Sequence, residues 1–149
     1  MRSVVQRVSS ASVSSEGKLT GTIEQGLVAL IGVEEGDEAR DVEYMVDKIS
    51  GLRIFEDDDE KMNLSVIDVG GSVICVSQFT LLGDVRKGKR PNFTKAEAPD
   101  RANELYEEVV KGLRNKGLVV ETGVFQTDML VSINNDGPVT ILLDSRKVF

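Results

Sequence analysis

The stretch Ser3–Asp37, "SVVQRVSSASVSSEGKLTGTIEQGLVALIGVEEGD", decides the fold. Polar and apolar residues alternate through Val4, Gln6 and Val8, then through Ala11 to Ser15. A Glu16-Gly17 turn follows, then Leu19 to Ile23 and the apolar run Leu27 to Val33. Alternation with period two marks half-buried strands, and a glycine turn between two such runs marks a hairpin. About three or four strands are therefore predicted before any helix.

After Asp37 the period changes. Val42, Met45, Val46, Ile49 and Leu52 recur at helical spacing, with Asp37 as the expected N-cap and Gly51 near the exit. "LRIFEDDDEKMNLSVIDVGGSVICVSQFTLLGD" returns to strand character, and Val73 to Leu81, apolar on both faces, is predicted to be a central covered strand. Pro99-Asp100 opens a second helix whose buried face is Ala102, Leu105, Tyr106, Val109, Val110 and Leu113, ending near Gly117. "LVVETGVF", "MLVSINN" and "VTILLDS" supply three more strands. Without strict strand–helix alternation, a doubly wound nucleotide fold is disfavoured. A largely antiparallel or mixed sheet partly covered by two helices is favoured.

With 149 residues, the chain fits one domain, residues 1–149, burying roughly two-thirds of the surface that its unfolded form exposes. No long apolar run suggests a signal peptide or a membrane span, so a cytoplasmic location is expected. Cys75 is the only cysteine and there is no histidine. An internal disulfide is impossible, a metal site is not expected, and every Ser-His or Cys-His nucleophile system is excluded. The net charge of −7 argues against a protein that coats nucleic acid. The basic loop "DVRKGKRPNFTK", with Arg86, Lys87, Lys89 and Arg90, leaves local contact with one end of an RNA open.

Two stretches could carry chemistry. In "SVICVSQFTLLGD", Ser77, Gln78 and Thr80 interrupt a buried strand where it should emerge, so they are polar residues at a strand end or they present backbone N–H groups and a hydroxyl to a ligand. Ser77 or Thr80 as nucleophile would need a lysine, a carboxylate or the substrate as base. In "INNDGPVTILLDS", Asn135, Asp136 and Gly137 read as an ordinary turn, yet the added Pro138 removes a donor and fixes a dihedral. A rigid Gly-Pro could also hold two carbonyl oxygens at a fixed separation, which suits an ammonium group.

"SQFTL" at Ser77–Leu81 followed by "NDGPVT" at Asn135–Thr140 resembles the paired signature of the D-aminoacyl-tRNA deacylases. The resemblance runs the length of the chain, through "QRVSSASV", "GLVALIGV", "LRIFEDDDEKMNLSV" and "APDRANELYEEVV". It implies a single α/β domain of mixed and antiparallel, barrel-like sheets covered by two main helices. It also implies a cofactor-free homodimer that hydrolyses the ester between a D-amino acid, or glycine mischarged on tRNA(Ala), and the 3′-terminal adenosine of tRNA. Gly137-Pro138 would be cis and reach into the partner subunit's site, where its carbonyls receive the substrate ammonium and exclude an L side chain sterically. Of the family's two mechanisms, one makes Thr80 the nucleophile. The other uses backbone N–H groups near Phe79 and Thr80 as an oxyanion hole while the RNA 2′-hydroxyl assists water, and the missing histidine favours it. Ser77 and Gln78 would shape the pocket, Arg7 would hold the Gly-Pro loop, and Met129 would lie near the pocket.

One departure stands out. The family pattern carries small residues before Asp128-Met129, where this chain has Gln126-Thr127; the adenosine side of the pocket should differ in contour. Two other readings compete. One is the sister deacylase for L-alanyl-tRNA(Thr), with a trans Gly-Pro, a wider pocket and a first motif other than "SQFTL". The other is a non-catalytic dimer that binds nucleotides or RNA ends.

Overall fold

The computed structural model describes residues 1–149 and shows a mixed α/β fold in which one strand organises the rest. β1 (Arg2–Ser15) pairs antiparallel with β3 (Gly26–Gly32) through Arg2–Val8 and with β2 (Lys18–Ile23) through Ala11–Ser15. β6 (Ser72–Ser77) runs parallel to β3, and β7 (Val120–Thr122) runs parallel to β6. β8 (Met129–Asp144) covers the other edge of β1 along its whole length. β2 approaches β6 and β7, nearly closing the sheet into a barrel. β4 (Phe55–Glu56) and β5 (Met62–Leu64) form a small separate hairpin.

α1 (Ala39–Gly51) and α2 (Pro99–Asn115) pack together on one face of the sheet. In α1, Val42, Met45, Val46 and Ile49 are buried; in α2, so are Ala102, Leu105, Tyr106, Val109, Val110 and Leu113. These side chains share one core with Val5, Leu27, Ala29, Ile31, Val73 and Cys75. A smaller core inside the curved sheet joins Val8, Ala11, Val13, Ile23, Val28, Ile74 and Val76.

Several expected boundaries are corrected. Val4–Val8 and Ala11–Ser15 form one strand, because the register slip at Val8–Ser10 is a bulge and not a turn. The bulge explains why Val5 faces the helices while Val8, Ala11 and Val13 face the inner core. Glu38 is the N-cap of α1, its N–H donating to the Asp41 carboxylate at 2.8 Å. Asp37, itself buried, instead receives the Met1 ammonium at 2.8 Å, the Glu34 N–H at 2.7 Å and, from the partly exposed Arg146, Nη2 at 3.1 Å. The strand predicted over Val73–Leu81 stops at Ser77, where the chain turns into a 3-10 helix over Phe79–Leu82. Leu82 at the turn's end is buried beside Gly32, so the turn hides an apolar side chain against β3.

The Asn135–Pro138 segment is no hairpin. β8 continues through it, both halves pairing with β1: Val8 lies opposite Asn135 and Gln6 opposite Thr140. Asp136, Gly137, Pro138 and Val139 therefore bulge outward opposite the single residue Arg7.

Candidate active site

β6 delivers Val76 and Ser77 to the sheet's end, where the chain swings into the 3-10 turn. The Gln78 N–H donates to the Ile31 carbonyl at 2.7 Å and the Gln78 carbonyl accepts the Leu81 N–H at 3.2 Å. That second bond is the first of the turn, so the N–H groups of Phe79 and Thr80 precede the ladder and have no partner within it. Gly32 lets the turn sit this close: a Cβ there would lie 2.9 Å from the Gln78 carbonyl oxygen and 2.6 Å from Leu82 Cδ2.

Beside the turn opens a cavity of about 520 Å³. Ser77, Gln78 and Phe79 form one wall, and Phe125 and Gln126 of the segment between β7 and β8, with Met129 at the start of β8, form another. The volume suits a nucleoside-sized ligand with mostly apolar walls and few polar groups. Thr127 also lines it, its hydroxyl donating to the Val124 carbonyl at 2.8 Å and pairing with the Ser15 hydroxyl at 2.6 Å. Gln126 sits at φ 60°, in the left-handed region, so the two residues that depart from the family pattern shape this wall directly.

Thr80 does not line the cavity and is exposed; its hydroxyl accepts a hydrogen bond from Gln78 Nε2. No base contacts that hydroxyl. Cys75 is no alternative nucleophile, because complete burial pushes its thiol up to about 12. Tyr106, whose hydroxyl donates to the Cys75 carbonyl at 2.9 Å, is held well above the ordinary phenol range by burial and serves to tie α2 to β6. No three Asp, Glu or Cys side chains gather in a way that could hold a metal ion.

Arg7, Gly137 and Pro138 form a second cluster. Arg7 is only 7% exposed. Its Nε donates to the Asp136 carbonyl at 3.1 Å and its Nη1 to the Ile54 carbonyl at 2.8 Å, with the Asp136 carboxylate 3.7 Å away. The Gly137-Pro138 peptide is cis and Gly137 has φ 120°. Asp136, Gly137 and Pro138 all face solvent. Within one chain this cluster does not reach the cavity. Arg7 is level with Leu27 and Val73, whereas the cavity opens at Ser77, four residues further along β6; that is about 13 Å along the strand.

Reading by residue type missed Gly32, Val33, Glu97 and Phe125. Gly32, a glycine closing an apolar strand run, carried a usable signal of close backbone approach; the cavity's apolar walls carried none that separates them from core.

Comparison with known proteins follows the same lines. A family profile described as "D-Tyr-tRNA(Tyr) deacylase" matches residues 4–144. The chain is 64% identical over the full length of both chains to a D-aminoacyl-tRNA deacylase of Koribacter versatilis (strain Ellin345), and 56% identical, again over both full lengths, to that of Clostridioides difficile (strain 630). Among solved structures, the "c-Myc DNA Unwinding Element Binding Protein" superposes with a TM-score of 0.90 at 40% identity, covering 97% of this chain and 98% of that one. A second, described as "Structural Analysis of a probable eukaryotic D-amino acid tRNA deacylase", shares the fold with a TM-score of 0.79 at 17% identity, covering 95% and 97%.

Proposed function

This chain belongs to the D-Tyr-tRNA(Tyr) deacylase family, and from that premise we propose that it is a cytoplasmic hydrolase, one domain over residues 1–149, that cleaves D-aminoacyl-tRNA and glycyl-tRNA(Ala). The observation that carries this reading is the cavity beside the Gln78–Thr80 turn, with two backbone donors ahead of the turn's first hydrogen bond. The 3′-terminal adenosine occupies the cavity, and the ester carbonyl lies against the turn.

Water attacks the ester carbon. The developing oxyanion is held by the Phe79 and Thr80 N–H groups, a term that needs no titrating side chain. The RNA 2′-hydroxyl takes a proton from the attacking water while passing its own to the departing 3′-oxygen, which leaves free amino acid and intact tRNA. Thr80 is a bystander in this scheme, consistent with its engagement by Gln78 and the lack of any base beside it.

The stereochemical filter comes from a second copy of the chain. The solvent-facing 136–138 loop, rigidly held by buried Arg7 yet remote from its own cavity, supports a role in a neighbouring subunit. So do the unpaired outer edge of β8 and its apolar side chains Leu130 and Leu142, 70% and 58% exposed. In the homodimer, the Gly137 and Pro138 carbonyls receive the α-ammonium. An L side chain would point into that backbone and a D side chain away from it.

The 40% identity to a protein named for binding a DNA element favours one second reading, a nucleic-acid-binding dimer without catalysis. Hydrolysis of D-tyrosyl-tRNA and L-tyrosyl-tRNA by the purified protein separates the two. Loss of the D ester alone is expected; protection of both esters would establish the binder, and equal loss of both would refute the chiral filter.

A further inference from the structure

The segment Asp84–Lys95 leaves the 3-10 turn carrying five cations and one anion, so it is +4 in a chain whose remaining residues total −11. It is an ordered arm. The Asp84 N–H donates to the Asn92 carbonyl at 2.8 Å and the Asn92 N–H to the Asp84 carbonyl at 3.0 Å, closing the loop between them. The one acid is consumed internally: the Asp84 carboxylate accepts Arg86 Nε at 3.0 Å and Nη2 at 2.6 Å, and these bonds hold it well below the usual carboxylate range. Lys87, Lys89 and Arg90 are then exposed with no anionic partner. At the arm's far end Phe93 meets Phe79 edge-to-face, with centroids 5.2 Å apart, and the Lys95 carbonyl accepts the Glu35 N–H at 2.8 Å. Phe79 itself lines the cavity.

We propose that Lys87, Lys89 and Arg90 grip the phosphates of the RNA strand just before its terminal nucleoside, with the Phe93–Phe79 contact fixing the distance from that grip to the cavity. This rests on the deacylase reading and adds the part of the substrate held outside the pocket. The charge pattern selects RNA backbone as the occupant. With the remaining residues totalling −11, the arm is the stretch whose charge favours a polyanion, so it both admits and orients the strand. The residues impose no base preference, since phosphates are the same in every sequence.

The test compares wild type with the Lys87→Ala/Lys89→Ala/Arg90→Ala variant on two substrates, D-tyrosyl-tRNA and the phosphate-free D-tyrosyl ester of adenosine. Three single-strand phosphate contacts contribute about −2 to the slope of log(kcat/KM) against log[salt], so between about 50 and about 200 mM salt wild type should lose roughly 16-fold more activity on tRNA than the variant. At the low-salt end the variant should show a raised KM for tRNA and a preference for tRNA over the nucleoside ester reduced by at least about tenfold. Equal salt slopes and equal preference in the two proteins would overturn the arm. If wild type cleaves neither ester, the deacylase reading fails separately. Binding of uncharged tRNA across the same salt series then decides the arm: a slope difference near 2 supports it, and parallel lines refute it.

Discussion

Replacing Gly32 by alanine should slow ester hydrolysis by about 10- to 100-fold without unfolding the protein. The new methyl would stand 2.9 Å from the Gln78 carbonyl oxygen, where ordinary contact begins at 3.4 Å, and 2.6 Å from Leu82 Cδ2. Leu82 can rotate only a little, being 2% exposed, and the Gln78 oxygen is backbone. The turn must therefore withdraw by about 0.5 Å, because a close-packed interior offers no slack. Moving that carbonyl drags Leu81, its hydrogen-bond partner, and with it the Phe79 and Thr80 N–H groups. Overpacking of this kind costs about 1–3 kcal/mol, which in a domain of this size lowers Tm by roughly 2–4 °C per kcal/mol. The rate loss of about 10- to 100-fold corresponds to about 1.4–2.7 kcal/mol of transition-state stabilisation. Single-turnover deacylation of D-tyrosyl-tRNA, run beside a thermal melt, measures both. Gly51→Ala is the control, since a methyl there meets nothing within 4 Å. A Gly32→Ala protein with lowered Tm and wild-type turnover would refute the oxyanion role of the turn.

Gly137→Ala places an L side chain at φ 120°, 2.8 Å from Val139 Cγ2 and 2.9 Å from Arg7 Nη2, and should abolish D-over-L discrimination in a paired tyrosyl-tRNA assay. Mixed in equal amounts with Gly32→Ala, it should lose about half of its L-tyrosyl-tRNA hydrolysis once the dimers reassort randomly, because half of the intact cavities then meet an intact loop; an unchanged L rate would place loop and cavity in one subunit. Thr80→Ala should stay within about tenfold of the wild-type rate, having lost only a hydrogen bond to Gln78, whereas a fall of several orders would make Thr80 the nucleophile. Asp37→Asn removes the charge that receives the Met1 ammonium and Arg146 and should cost about 3–5 kcal/mol in urea unfolding. Asp41 works against burial, which raises its pKa, but the Ser145 hydroxyl and the Glu38 N–H bring it below its ordinary 3.8. Its stabilisation is full above that value and is lost as pH falls through the lower folded one; the stability gap between wild type and Asp41→Asn should therefore close in acid, and a gap constant from neutral pH to below 3 would contradict the shift.

Periodicity made the helices legible. Every residue assigned to the inner face of α2 is buried, and so is the 42–49 face of α1, because a helix against a sheet has one way to hide its apolar stripe. Strand runs were legible as strands and less so as units. Ser9 and Ser10 look like an interruption, yet they are a bulge in one strand of 14 residues. Ser77, Gln78 and Thr80 mark where the buried strand should emerge, yet Phe79, Leu81 and Leu82 prolong its apolar character, and nothing in the letters shows that the chain closes there into a 3-10 turn. Likewise "NDGP" has the composition of a hairpin; only the pairing of both flanks with β1 shows that the chain goes straight on and throws the loop outward.

The site was faint in the letters because the chemistry proposed for it belongs to the backbone. Amide donors at Phe79 and Thr80 and carbonyl acceptors at Gly137 and Pro138 exist at every position of any chain, so residue type cannot announce them. What residue type can announce is the means of placing them. Gly32 is small so that a turn can approach a strand, and Gly137 is glycine because φ there is 120°. Arg7 is the more telling case. A nearly buried guanidinium ordinarily meets a carboxylate, yet its close partners are two carbonyls, at Ile54 and Asp136, and the Asp136 carboxylate stands back at 3.7 Å. A charge spent on two backbone oxygens far apart in sequence does little that an apolar side chain could not do for stability. Its distinct effect is to fix one exposed loop against the body of the sheet, and a loop held that firmly in solvent has its use in what it meets there.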